Sequence, residues 1–158
     1  MYKYAIELKW GINFFVASLL WMLLERLIGL HSVYISEHYI YTNIFAVIAI
    51  LIFVFALLDK RKNFYEGVMT WKQGFLSGLI ITLIVVILSP LAQIITHEII
   101  TPEFFPNIIE YTVEQGQMTL EEAEAYFNLG NYIIQSMIGG FVMGLITSAI
   151  VAFFVKKR

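Results

Sequence analysis

An all-α membrane fold, a bundle of four transmembrane helices with an outer helical insertion between the third and fourth, is the architecture this sequence predicts. Three observations lead to it. Of 158 residues, 59% are hydrophobic and only 14% charged, a mix that a soluble domain of this size has no interior volume to hide. Four apolar runs reach the roughly 20 residues that a helix rising about 1.5 Å per residue needs to cross a hydrocarbon core of about 30 Å. Nine of the ten basic residues lie beside alternating span ends, all on one side. The three prolines and ten glycines are too scattered to mark a linker, so residues 1–158 read as a single integral membrane domain. With no cysteine there is no disulfide framework, thiolate nucleophile or Cys-based zinc site. The net charge of -2 gives no reason to expect nucleic acid as a partner.

The first predicted span, residues 10–30, is apolar apart from Asn13, Ser18 and the pair Glu25 and Arg26. Lys3 and Lys9 precede it, as in a signal peptide, but the apolar run is long for one. Gly29, Leu30, His31 and Ser32 do not form a small-x-small cleavage pattern, so a retained span fits better. The second, 42–58, carries only Asn43 as a strongly polar residue. Thr70 and Gln73 fit a capping box that starts the third helix near Trp71, and the span itself runs over 74–95. Pro90 should kink it, with Ser89 close enough to help resatisfy the freed backbone. Pro102, Pro106 and Gly116 break the chain that follows. Between them, residues 107–115 can form a short outer helix with Ile108, Ile109 and Val113 toward the bundle or the lipid headgroups and Glu110 and Glu114 toward water. Thr119 and Glu122 repeat the capping box ahead of Leu120, so the fourth helix is expected to begin there and project outward about three turns before its span at 132–155.

Orientation follows from the basic residues. Lys3 and Lys9 precede the first span, Lys60, Arg61, Lys62 and Lys72 lie between the second and third, and Lys156, Lys157 and Arg158 follow the fourth. The opposite side has no Lys or Arg in its loops, and the segment 97–130 carries Glu98, Glu103, Glu110, Glu114, Glu121, Glu122 and Glu124. Because positive flanks are retained in the cytoplasm, both termini are expected inside and the acidic segment outside.

Trp10, Asn13, Phe14 and Ala17 match Trp71, Gly74, Phe75 and Gly78 in spacing and character, which suggests two related hairpins, although so short a match between apolar helices can arise by chance. The stretch from Gly67 through Met69, Thr70, Trp71, Gly74, Phe75 and Gly78, opening a long apolar helix, resembles the bacterial four-span family known as domain of unknown function 4199. The likeness extends through the Pro102 region, the Glu-rich outer segment, the glycine-containing fourth span and the basic end. The resemblance implies a multi-pass protein of the bacterial inner membrane, of Bacteroidota type, with no assigned activity, cofactor or catalytic residue.

Ser136, Gly140, Gly144, Ser148 and Ala152 recur at every fourth position, a stripe of small side chains that lets another helix approach closely. Gly74, Gly78 and Thr82 give the third helix a shorter stripe. Packing within the chain is favoured over self-association. Glu25 and Arg26 are the ionisable residues inside a predicted span, with His97 and Glu98 as candidate partners across the outer interface. Adjacent residues point about 100° apart on a helix, and position 26 is within snorkelling reach of the headgroups. An interfacial structural pair is therefore favoured over a substrate, ion or signalling role. His31, His38 and His97 all fall on the outer side near Glu37 and Glu98. That grouping invites a metal or pH-sensing reading, in which imidazole and carboxylate bind zinc, but no two histidines have the helical spacing of a preformed site, so lone interfacial histidines are expected and no metal or cofactor. Asn13, Asn43, Gln93 and Gln135 could line a polar path or hydrogen-bond between helices, the commoner role.

No Walker loop, HExxH, GxSxG, DxDxDG or dinucleotide glycine fingerprint occurs, so no enzyme is expected. Topology points to a scaffold or accessory subunit of a membrane complex, with lipid and a membrane-protein partner or second copy as its contacts. The alternative is a small-solute or ion transporter acting as an oligomer. An intramembrane enzyme using Glu25 and the outer histidines is a third class.

Overall fold

A computed structural model describes residues 4–157. Lys3 and Arg158, used above in the charge count, lie outside the described residues. Seven α-helices are distinguished among the described residues: α1 (Ala5–Leu27), α2 (His38–Tyr41), α3 (Phe45–Asn63), α4 (Trp71–Ile94), α5 (Phe104–Glu114), α6 (Leu120–Tyr126) and α7 (Leu129–Val155). Short 3-10 turns at Ile35–Glu37 and Thr42–Ile44 run α2 into α3, and α4 continues as wide π-helical turns over Ile95–Ile100. Four helical stretches are long and apolar enough to span a membrane: Ala5–Leu27, Ile35–Asn63, Trp71–Ile100 and Leu129–Val155. They are apolar nearly all round. Leu20, Leu27, Val47, Ile87, Ile138 and Phe154 are all exposed, which suits a lipid solvent and would be an aggregation liability in water. The chain is a multi-pass membrane bundle.

The helices alternate in direction. The start of α1, the end of α3, the start of α4 and the end of α7 therefore meet at one end, which carries most of the basic residues and is here named the basic end. Backbone N–H and C=O groups of Met69 and Lys157 pair reciprocally at 2.9 Å, tying the α4 approach to the chain after α7. The opposite, acidic end holds the α1–α3 connection and the α5–α6 insertion. The buried core lies toward the basic end and joins Phe53, Ala56 and Leu57 of α3, Met69, Ile81 of α4, and Val151, Ala152 and Val155 of α7.

The small-residue stripes meet each other. A Cβ on Gly78 would lie 2.6 Å from Ser148 Oγ and 3.2 Å from Ser148 Cα, one on Gly144 would lie 2.5 Å from Thr82, and one on Gly74 would lie 3.1 Å from the Ala152 side chain. Thr82 and Ser148 hydroxyls sit 3.4 Å apart and each also donates back to its own helix, at Gly78 and Gly144. Only the three members of the α7 stripe nearest the basic end, of five, are used this way. Gly140 has nothing nearer to its Cβ position than Val86 at 3.8 Å, and Ser136 lines a cavity instead. The two hairpins share one further feature: Trp10 of α1 donates its indole N–H to Asp59 of α3 at 2.8 Å, and Trp71 of α4 donates to the Ala149 carbonyl of α7 at 3.0 Å.

Local signals resolve as expected at two helix starts and at Ser89, ahead of the proline inside α4. Both capping boxes form, Thr70 with Gln73 and Thr119 with Glu122. Ser89 Oγ donates to the Val86 carbonyl at 2.8 Å, the group that Pro90, lacking an N–H, leaves without its i+4 donor. Two expectations are corrected. Pro106 does not break the insertion, because it falls in the first turn of α5, where backbone N–H groups have no intrahelical partner to lose. The helix that opens at Leu120 is not continuous with the fourth span. Phe127 leaves helical geometry, and Asn128 in an extended conformation accepts a hydrogen bond from Asn131 N at 3.0 Å, so α7 has its own cap. Asparagine competes for local backbone donors in this way and is a strong helix starter. The first span also shifts toward the N-terminus: α1 begins at Ala5 and ends at Leu27, so Glu7 lies inside it and Glu25 and Arg26 occupy its last turn.

Candidate functional site

Helix α1 carries a buried carboxylate near each end. At the basic end, Glu7 is 1% exposed. Its two oxygens lie 2.9 and 3.1 Å from Lys60 Nζ, and one accepts the Ser77 hydroxyl at 2.7 Å. Lys60 is itself 2% exposed, and its ammonium stands 3.7 Å from the Phe64 ring centroid. One step toward solvent, Asp59 accepts from Lys9, Trp10 and Asn63. This network joins α1, α3 and α4 and, with the apolar core beside it, closes the basic end.

At the acidic end Glu25 is fully buried. Trp21, one turn earlier on α1, donates its indole N–H to Oε1, which fixes the carboxylate and leaves Oε2 facing the α1–α3 connection. Gly29 turns the chain there with φ of 85°, a left-handed conformation that costs glycine little. Its carbonyl then accepts from the backbone N–H of Ser32 and Tyr34. The turn brings His31 Nε2 to 3.0 Å from Glu25 Oε2, and the start of α2 brings His38 Nδ1 to 3.4 Å from the same oxygen. One possible ligand atom from each of Glu25, His31 and His38 lies within 4.8 Å of the other two.

The α5 insertion covers this cluster. Phe104, 2% exposed, lies against all three histidines, with ring centroids 5.2 Å from His31, 5.0 Å from His38 and 5.3 Å from His97. Asn107 of α5 donates to the His31 carbonyl at 2.8 Å, pinning the connection to the cap. His97 stacks on Phe105 at 4.3 Å and bonds Gln93 at 3.1 Å. A cavity of about 570 Å3 opens beside the cluster, lined in part by His31, His38, His97, Asn43, Gln93 and Gln135. A second, of about 280 Å3, lies deeper between Phe14, Phe45, Gln93, Ser136 and Gly140. The larger cavity lies at the acidic end and the smaller one reaches mid-bundle at Phe53, Thr82 and Gly144, while the buried apolar core lies toward the basic end.

A family model described as "Protein of unknown function (DUF4199)" matches residues 9–157, nearly the whole chain. The chain belongs to this family. No curated protein and no solved structure matches it. In this DUF4199 chain the matched region holds Glu25, His31, His38, Lys60 and Ser77, while Glu7 stands just ahead of it.

The sequence-predicted residues separate into those the fold gathers and those it does not. Glu25 and Arg26 diverge: Glu25 turns inward to the imidazoles, and Arg26 turns out to Glu103 at 3.2 Å, both partly exposed. The expected partners are corrected accordingly, since Glu98 is exposed on the π-helical turns and His97 lies against the α5 aromatics. The histidines are not lone: His31 and His38 stand 5.2 Å apart, ring centre to ring centre. Asn43, Gln93 and Gln135 share the larger cavity, whereas Asn13 is exposed on α1. Residues missed from sequence are Glu7, Lys60, Ser77 and Trp21. One signal could have found Glu7. It precedes Glu25 by 18 residues, about five turns at about 3.6 residues per turn, so both carboxylates share one face of α1. Outside the spans, hydrogen bonds from the Thr119 backbone and hydroxyl hold the Glu122 carboxyl below its ordinary range.

Proposed function

We propose that this protein is a non-enzymatic scaffold or accessory subunit of a membrane complex, set in the bacterial inner membrane with its basic end and both termini in the cytoplasm. The nine-to-one division of basic residues supports that orientation. The observation that carries the functional reading is the polarity of packing. Among the described residues the basic end is closed by the buried Glu7–Lys60–Ser77 network and by Leu57, Met69 and Ala152, the last three fully buried, which obstructs a polar route through that end. The acidic end instead presents α6, whose Leu120, Glu121, Glu122, Glu124 and Tyr126 are exposed, a surface placed to meet another protein outside the bilayer. A photo-crosslinking amino acid at Leu120, followed by mild-detergent purification from the native membrane, should trap one recurrent protein. A strictly monomeric chain with no recurrent adduct overturns the proposal.

The second reading is a small-solute or ion transporter acting as an oligomer. It is favoured by the cavity shared among Asn43, Gln93 and Gln135. Flux in proteoliposomes that is lost when these three amides become Leu would select it over the first.

A further inference from the structure

We propose that Glu25, His31 and His38 form a binding site for a divalent first-row transition metal of the zinc class, held under the α5 cap at the acidic end. The donor set is two imidazoles and one carboxylate, the chemistry zinc accepts when it keeps one position open. The spacing fits as well. Ligand atoms about 2.0 to 2.1 Å from a tetrahedral ion are separated from one another by about 3.3 Å, and Glu25 Oε2 stands 3.0 Å from His31 Nε2 and 3.4 Å from His38 Nδ1.

Two independent features ask for a cation there. Glu25 is fully buried, its neighbour Arg26 points away to Glu103, and among the described residues no Lys or Arg pairs with the carboxylate, which meets only the Trp21 indole and the two imidazoles. An uncompensated buried carboxylate is costly. Further, His38 Nδ1 is buried, faces Glu25 Oε2 at 3.4 Å and makes no hydrogen bond, while His31 Nε2 reaches the same oxygen at 3.0 Å. Buried polar atoms are almost always satisfied, and a metal ion satisfies lone pairs that no donor reaches.

The surroundings supply what a metal site needs beyond its ligands. Trp21 holds the second carboxylate oxygen, and Asn107 holds the His31 backbone, fixing the ligands as outer-shell partners do. His31 and His38 also line the cavity shared with Gln93 and Gln135, from which a water or a polar solute would complete the coordination. His97 stays outside the ligand set, being held by Gln93 and the α5 rings. The site stands apart from the accessory-subunit reading: absence of a protein partner leaves it untouched.

The test uses the full-length chain in mild detergent, stripped with a chelator and titrated with zinc against a chromophoric competitor, then with cobalt followed by visible absorption. The expected result is one zinc per chain and cobalt d–d bands of tetrahedral or five-coordinate intensity. H31N and H38N should each weaken zinc binding by more than about 100-fold, above the 10 to 100-fold that loss of an outer-shell partner brings. H97N should leave the affinity unchanged. The wild-type measurement needs no variant, so a folding defect in H31N does not shield the proposal. Failure of the wild-type chain to bind zinc stoichiometrically overturns it, and so does zinc binding that survives in the H31N/H38N double variant.

Discussion

Removing one member of the buried Glu7–Lys60 pair should destabilise the bundle far more than removing both. At 2.9 Å two unit charges attract by about 6 kcal/mol at an effective dielectric constant of about 20. Desolvation of both groups cancels much of that, because the two side chains are only 1% and 3% exposed. Once one partner is gone the other keeps its desolvation cost without that countercharge, and the loss is about 3 to 5 kcal/mol. Glu7→Met and Lys60→Met should therefore each lower stability by that amount. The double variant E7M/K60M replaces the pair by apolar chains of similar length and should lie within about 2 kcal/mol of the parent. Ser77, losing its acceptor, can turn to the carbonyl one turn back on α4. Unfolding in a graded mixture of mild detergent and dodecyl sulfate, followed by tryptophan emission with Trp10 close by, reads all four proteins of the cycle. Single costs below about 1 kcal/mol, or a double variant as unstable as the sum of the singles, would refute the claim that the two charges are held as one buried unit.

Close helix approach supplies the next prediction: Gly78→Ala, whose methyl would meet Ser148, should cost about 1 to 3 kcal/mol in the same unfolding assay. Gly139→Ala, with nothing within 4 Å of its Cβ position, should be neutral or slightly stabilising. Asn128→Ala removes the α7 cap and should cost about 1 kcal/mol, with hydrogen exchange rising first at Asn131 and Tyr132. The capping box at α6 titrates with a defined sign. Because Glu122 is held below its ordinary pKa by Thr119, its support for α6 is present above the unfolded carboxylate pKa and is lost as pH falls through the lowered folded value. Thr119→Ala should raise the Glu122 pKa, measured by carboxyl carbon chemical shift.

Much of the fold was legible because its signals are local. A helix that must satisfy its own backbone in lipid needs an apolar run of fixed length, and such runs are visible one at a time. The capping boxes at Thr70 and Thr119 and the Ser89–Pro90 accommodation involve residues no more than four apart. The small-residue stripes of the third and fourth helices were readable as close-packing faces, but that Gly74, Gly78 and Thr82 meet Gly144, Ser148 and Ala152, and not a second copy, comes from the packed structure. Legibility failed where a short polar residue chose between two local partners, as at Asn128. It also failed at the first span, where the long apolar run starts only at Trp10 although the helix begins at Ala5 and includes Glu7.

By itself the sequence determined that four apolar helices cross in alternation, that one end is basic and the other acidic, and that the third and fourth helices can touch closely. Tertiary structure alone decided that Glu7 meets Lys60 and Ser77, and that Glu25 meets His31 and His38 beneath Phe104. The physical reason is sequence separation. Glu7 lies more than 50 residues from Lys60, and the imidazoles reach Glu25 only because Gly29 reverses the chain and α5, from a distant insertion, closes over it. No periodicity encodes such meetings; they exist only once the helices have packed.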